Sequence, residues 1–299
     1  MTAAGTLLST AAGLGLIGLV GRDAFDALFH AEGRGTFSRH ITRAVWQVFR
    51  RVGRRRARLA LAGPVAFVTV IATWAALLVL GWALVLWPHM PGSFRFDAGI
   101  DSGGSDFVHA LNVSLVTLTT LGFGDITPTS DALRLILPLE ALLGFGLLSA
   151  SISWLVSIYP ALSRRRSLAY EISLLRVAEA EDKLSLDALP PDVAERLLAG
   201  LTSRLVAVER DLVHFPISYY FSAADPRFSL PVAAPYLLEI ARRGMNEAQP
   251  MTVRFRARLL MQAIDDLART TATRFHGSGA TTPEDLLREY ARDHLVHER

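Results

Sequence analysis

Residues 117–128 read Thr-Leu-Thr-Thr-Leu-Gly-Phe-Gly-Asp-Ile-Thr-Pro and lie between two long apolar stretches. Glycine reaches positive φ without a Cβ clash, so Gly122 and Gly124 can alternate with neighbours at negative φ. That alternation turns successive carbonyls to one side, which an ordinary strand cannot do. The carbonyls of Thr120, Leu121, Gly122 and Phe123, with the Thr120 hydroxyl, then make a ladder of uncharged oxygens. Repeated around an axis, each rung becomes a ring able to replace the hydration shell of an ion. No carboxylate lies inside the ladder, which suits a weakly hydrated monovalent cation. A divalent filter would want an acidic ring, and the first acid, Asp125, comes only after the second glycine.

Such a loop needs helices to hold it. Non-helical backbone at membrane depth is tolerated only where it is packed in protein or lines an aqueous path. Before the loop, residues 106–119 are too short to span, and Phe107, Leu111, Leu115 and Leu118 recur at helical spacing behind a capping Asp106. A short helix dipping into the membrane, followed by an extended return, is the expected arrangement. Residues 59–94 and 141–163 carry no Asp, Glu, Lys or Arg, and about 20 apolar residues cross a bilayer core. Spans are therefore predicted over 61–87 and 133–159. Residues 3–21 are also uncharged and are read as a first membrane helix; a cleaved signal peptide would want a positive n-region, absent here.

Charge orders these elements. The 299 residues have a mean hydropathy of +0.31 and a net charge of +3, but the arginines are unevenly placed. Between Glu32 and Asp97 there are ten basic residues and no carboxylate, and Arg164, Arg165 and Arg166 follow the last span. Basic flanks face the cytoplasm, so the Asp-rich stretch 88–131 is expected outside, and Asp97, Asp101, Asp106 and Asp131 to attract cations there. The stretch 39–58, with Ile41, Val45, Val48, Phe49 and Val52 at helical spacing, reads as an interfacial helix. Its Arg50, Arg51, Arg54, Arg55, Arg56 and Arg58 suit anionic lipid. Nucleic acid is set aside because the arginines abut a span. There is no cysteine, which excludes disulfides and thiolate chemistry. No GxGxxG turn, HExxH pair or catalytic triad stands out, so no enzyme and no cofactor beyond permeant ions is expected. From Ser167 on, proline breaks separate helical pieces of a soluble domain.

The run Thr119-Thr120-Leu121-Gly122-Phe123-Gly124-Asp125 resembles the potassium-channel signature Thr-Thr-Val-Gly-Tyr-Gly-Asp and its Phe-containing variants. The order span, pore helix, filter, span resembles the pore domain of that family over about residues 60–162. The resemblance implies a selectivity filter at Thr120–Gly124 with K+ held by Thr120, Leu121, Gly122 and Phe123. It further implies pore-helix threonines at Thr117 and Thr119, an outer-mouth acid at Asp125, and a homotetramer, since this chain has one pore loop. Asn112 and Val113 stand where family members often place Trp-Trp, and Phe123 replaces the tyrosine that bonds one of those rings. The two changes match, and they imply a filter held by packing. Gly144 falls at the family's hinge position; close helix packing is the rival role for it and for Gly146. Glu140, the one acid inside a span, is a functional candidate by default, with a hydrogen bond behind the filter as its structural alternative.

The expected fold is thus an all-α membrane protein with a potassium-channel-like pore and an extra N-terminal membrane helix over 1–30. A juxtamembrane segment covers 31–59. The pore domain covers 60–162, divided into outer helix 61–87, pore helix 106–119, filter 120–124 and inner helix 133–159. A helical cytoplasmic domain covers 163–299. The expected function is passive, potassium-selective conduction in the cell membrane. Its alternatives are a weakly selective monovalent cation channel, or a membrane sensor or scaffold acting through the tail.

Overall fold

The computed structural model describes residues 2–29, 35–52, 56–97, 105–182, 185–276 and 282–294. Arg54 and Arg55, named above for lipid, and Asp101 of the expected outer mouth lie outside the described residues. The helices are α1 (Ala3–Leu28), α2 (Thr36–Val52), the short α3 (Arg56–Leu59), α4 (Ala62–Leu86), α5 (Asp106–Leu118), α6 (Asp131–Asp182), α7 (Pro191–His214), α8 (Leu230–Gly244), α9 (Met251–Thr271) and α10 (Pro283–His294). Three of them, α1, α4 and α6, contain stretches long and apolar enough to cross a membrane. The chain is a mostly helical membrane protein.

Two departures from the sequence reading are structural. First, α6 does not stop near Tyr159 but runs as one helix to Asp182. The Arg164–Arg166 triplet ends the hydropathy, yet arginine is a good helix former, so nothing there ends the helix. Second, within the expected all-α fold the sequence reading does not foresee two short strands, β1 (Phe94–Phe96) and β2 (Ile126–Pro128), paired antiparallel with Phe96 opposite Ile126 and Phe94 opposite Pro128. Three-residue strands are too short for a period-2 pattern to register.

The chain forms two compact units, Met1–Ile41 with Phe67–Val156, and Thr42–Ala66 with Ser157–Arg299. In the first, α1 crosses α4 at a small-residue contact. A Cβ on Gly13 would lie 2.4 Å from the Gly81 carbonyl oxygen, the close approach that glycine permits between membrane helices. Ser9 Oγ donates to the Leu84 carbonyl at 2.6 Å. Asp23, a buried acid of α1, accepts from the backbone N–H of Phe37 (2.8 Å) and Ser38 (3.0 Å) and from Trp74 Nε1 (3.0 Å). It thus satisfies amides of the first turn of α2, which have no partner inside their own helix.

In the second unit α7, α8, α9 and α10 enclose one apolar core with the Leu168–Ile172 part of α6. Trp46 of α2 is 4 % exposed and packs against the rings of Tyr219, Tyr220 and His294. Arg50 donates to Asp293 at 2.5 Å, and Tyr219 Oη to the same carboxylate at 2.6 Å. The juxtamembrane helix therefore turns Trp46 into this unit's core, while Val48 and Val52, read as apolar residues of an interfacial helix, are exposed. Burial pushes the Tyr219 phenol well above its ordinary range, and the adjacent Asp293 adds to the shift. Buried Arg165 donates to the carbonyls of Ser218 (2.7 Å) and Phe221.

Candidate pore loop

The loop begins where α5 ends. The Thr119 N–H still bonds the Leu115 carbonyl at 3.1 Å, and Thr120 N–H bonds Thr117 at 2.9 Å. The amides of Leu121 and Gly122 then both turn back to the Val116 carbonyl, at 3.0 and 3.3 Å. Thr119 Oγ1 donates to Leu115 O at 2.7 Å. These bonds tie the loop's entrance to the end of the short helix.

Backbone conformation then alternates. Thr120 (φ 58°), Gly122 (φ 57°) and Gly124 (φ 78°) are left-handed, whereas Leu121 and Phe123 are not. The glycines carry φ > 0 freely. A threonine there costs on the order of 1–3 kcal/mol and persists only where its surroundings over-determine it. Residue identity gave no signal for Thr120 in this role, because a β-branched side chain argues against positive φ. Among the described residues, no backbone N–H of the chain donates to the carbonyls of Thr120, Leu121, Gly122, Phe123 or Gly124. A Cβ on Gly122 or Gly124 would meet nothing within 4 Å, so the demand for glycine comes from the backbone and not from space.

The exit is pinned by the two strands. Asp97 N–H donates to the Asp125 carbonyl at 2.9 Å, Thr129 N–H to Ser93 O at 2.9 Å, and the Asp125 carboxylate accepts its neighbour Ile126 N–H at 3.0 Å. Arg134 Nε reaches Pro128 O at 3.2 Å. Sequence reasoning missed this clasp, whose partners lie about thirty residues apart.

The helices behind the loop meet closely. A Cβ on Gly144 would stand 1.9 Å from the Leu118 carbonyl oxygen, so this glycine is a point of close packing between α6 and the end of α5. Gly146 has nothing within 4 Å of an added Cβ. Glu140 is fully buried; its Oε1 is 2.5 Å from Ser114 Oγ, which also lies 3.0 Å from the Val79 carbonyl oxygen. Val113 is buried and Asn112 exposed. Phe123 and Leu121 are 66 % and 60 % exposed among the described residues.

The model of a family described as "Ion channel" matches residues 69–159, the interval from α4 through the loop into α6. The chain is 25 % identical over 252 residues to the uncharacterized membrane protein YdjJ of Bacillus subtilis (strain 168), covering 82 % of this chain and 70 % of that protein. It is 36 % identical over 78 residues to two pore potassium channel c of Oryza sativa subsp. japonica, covering 26 % of this chain and 16 % of that one. No solved structure matches. The matched interval covers 91 of the 299 residues, and over it this helical membrane protein resembles an ion channel.

Proposed function

We propose that the protein is a potassium-selective channel, conducting K+ passively through a homotetrameric pore in the cell membrane. The observation that carries this reading is the alternation of positive φ at Thr120, Gly122 and Gly124, with five successive carbonyls that accept no backbone N–H among the described residues. Four copies around an axis turn those carbonyls into stacked rings of uncharged oxygens, each replacing part of the water around a cation. Thr120, Leu121, Gly122 and Phe123 hold K+, Gly124 closes the ladder and Asp125 stands at the outer mouth. The exposed Leu121 and Phe123 side chains are apolar surface, and contact with neighbouring copies removes it from water. Thr117 and Thr119 end the pore helix, whose C-terminal dipole favours a cation. The second unit is cytoplasmic, and Arg51 and Arg58 are available to anionic lipid, whereas Arg50 is engaged with Asp293.

Purified full-length protein in liposomes is expected to pass K+ far faster than Na+, and Gly122→Ala to lose most of that flux because alanine resists the required φ. Equal K+ and Na+ flux overturns the selectivity. A conducting Gly122→Ala protein overturns the backbone argument.

A further inference from the structure

Three helices meet at one hydroxyl. Ser114 is in α5, one turn before the end of the pore helix; Val79 is in α4 and Glu140 in α6. Ser114 is fully buried, as is Glu140. The Ser114 hydroxyl has one proton. Its oxygen is 3.0 Å from the Val79 carbonyl and 2.5 Å from Glu140 Oε1. A carbonyl can only accept, so the bond to Val79 consumes the serine proton. The bond to Glu140 then has to be donated by the carboxyl group itself.

From this proton count we infer that Glu140 is a neutral carboxylic acid donating to Ser114, and that the relay Glu140 to Ser114 to Val79 is the positioning device holding the pore helix at its working depth. A further observation agrees. Glu140 Oε2 is buried with no partner among the described residues, an environment that a spread negative charge resists far more than a carbonyl-like oxygen does.

The relay sits one helical turn from the Gly144–Leu118 contact along both helices, 140 to 144 and 114 to 118. The same two helices are thus fixed twice, once by a directed hydrogen bond and once by bare backbone contact. The second of these points touches the residue two before Thr120. Glu140 itself lies apart from the conducting carbonyls. It acts through Ser114 on the height and rotation of α5, and so on the alignment of the loop that α5 delivers. This inference rests on the proposed function for its consequence, but its proton count does not.

The test uses the full chain in lipid. Infrared difference spectra of wild type minus Glu140→Gln at neutral pH are expected to show a protonated-acid C=O stretch, and a carboxylate band instead overturns the inference. Glutamine keeps a donor for Ser114, so Glu140→Gln is expected to retain flux and selectivity within about twofold, while Glu140→Ala loses about tenfold or more in K+ over Na+ selectivity. Glutamine and alanine variants equally impaired, or equally unimpaired, overturn the positioning role even where the spectrum agrees. A wild-type protein that passes no ions refutes the proposed function, and the infrared result still decides the proton.

Discussion

Gly144→Ala is the sharpest perturbation the fold offers. The new methyl would sit 1.9 Å from the Leu118 carbonyl oxygen and 2.8 Å from its carbonyl carbon. Both are backbone atoms, so no side chain can swing aside. The two helices must separate by roughly 1.5 Å or more to restore ordinary contact. Alanine in a helix is favoured over glycine by about 1 kcal/mol, whereas forced overpacking typically costs about 1–3 kcal/mol and sometimes more. The clash prevails, because Leu118 is the last residue of α5 and its displacement moves the loop entrance. A net loss of about 1–2 kcal/mol corresponds to roughly 5- to 30-fold in an equilibrium. Thermal unfolding of the purified protein and liposome K+ flux both read it, with Gly146→Ala as the control that meets no neighbouring atom. Lowered stability and lost selectivity are expected for Gly144→Ala only. Wild-type stability with altered gating alone would refute the packing argument and return Gly144 to the role of a hinge.

Trp46→Ala should destabilise the second unit by roughly 3–5 kcal/mol, as expected for emptying a buried aromatic site, read as earlier thermal unfolding and faster proteolysis after residue 160; unchanged stability would show that Trp46 does not belong to that core. Asp23→Ala should cost at least about 2 kcal/mol by stranding the Phe37 and Ser38 amides and the Trp74 indole, with Asp23→Asn intermediate, since one acceptor oxygen survives; equal melting of all three proteins counts against the cap. Raising the folded-state value of the Tyr219 phenol has a definite sign. The stability it contributes is fully present below the ordinary tyrosine value of about 10 and is lost as pH climbs above it toward the folded-state value. Tyr219→Phe should therefore flatten the alkaline fall in melting temperature, and an identical fall in the variant would disprove that source.

Hydropathy and the short motif made much of the first unit readable. Uncharged runs of sufficient length mark α1, α4 and the first part of α6, and the glycine pair marks the loop, because those signals are local. What stayed hidden depends on partners distant in the chain. An amphipathic helix such as α2 reads the same whether its apolar side meets lipid or protein, and Trp46 was settled only by Tyr219, Tyr220 and His294. The role of Asp23 depends on Phe37, Ser38 and Trp74, which only the fold brings to it. Glu140 was legible as a functional or structural acid, but its relay needed Ser114 and Val79 brought to the same point. Thr120 ran against expectation, since its type disfavours the conformation that the surrounding bonds impose.

The Arg50–Asp293 pair spans 243 residues of sequence, and this has a consequence for biogenesis. Ribosomes add about 5–20 residues per second, so α2 leaves the ribosome roughly 12–50 s before α10 exists to receive it. For that interval Trp46 belongs to a nascent chain already threading its spans, with an apolar side and no folded partner. A transcript cut short before Pro283, or a deletion of the tail made to simplify the protein, prolongs that interval indefinitely. Chains of this kind should be retained and degraded during synthesis, so a missing current from a tailless variant has to be read together with how much of it reaches the membrane.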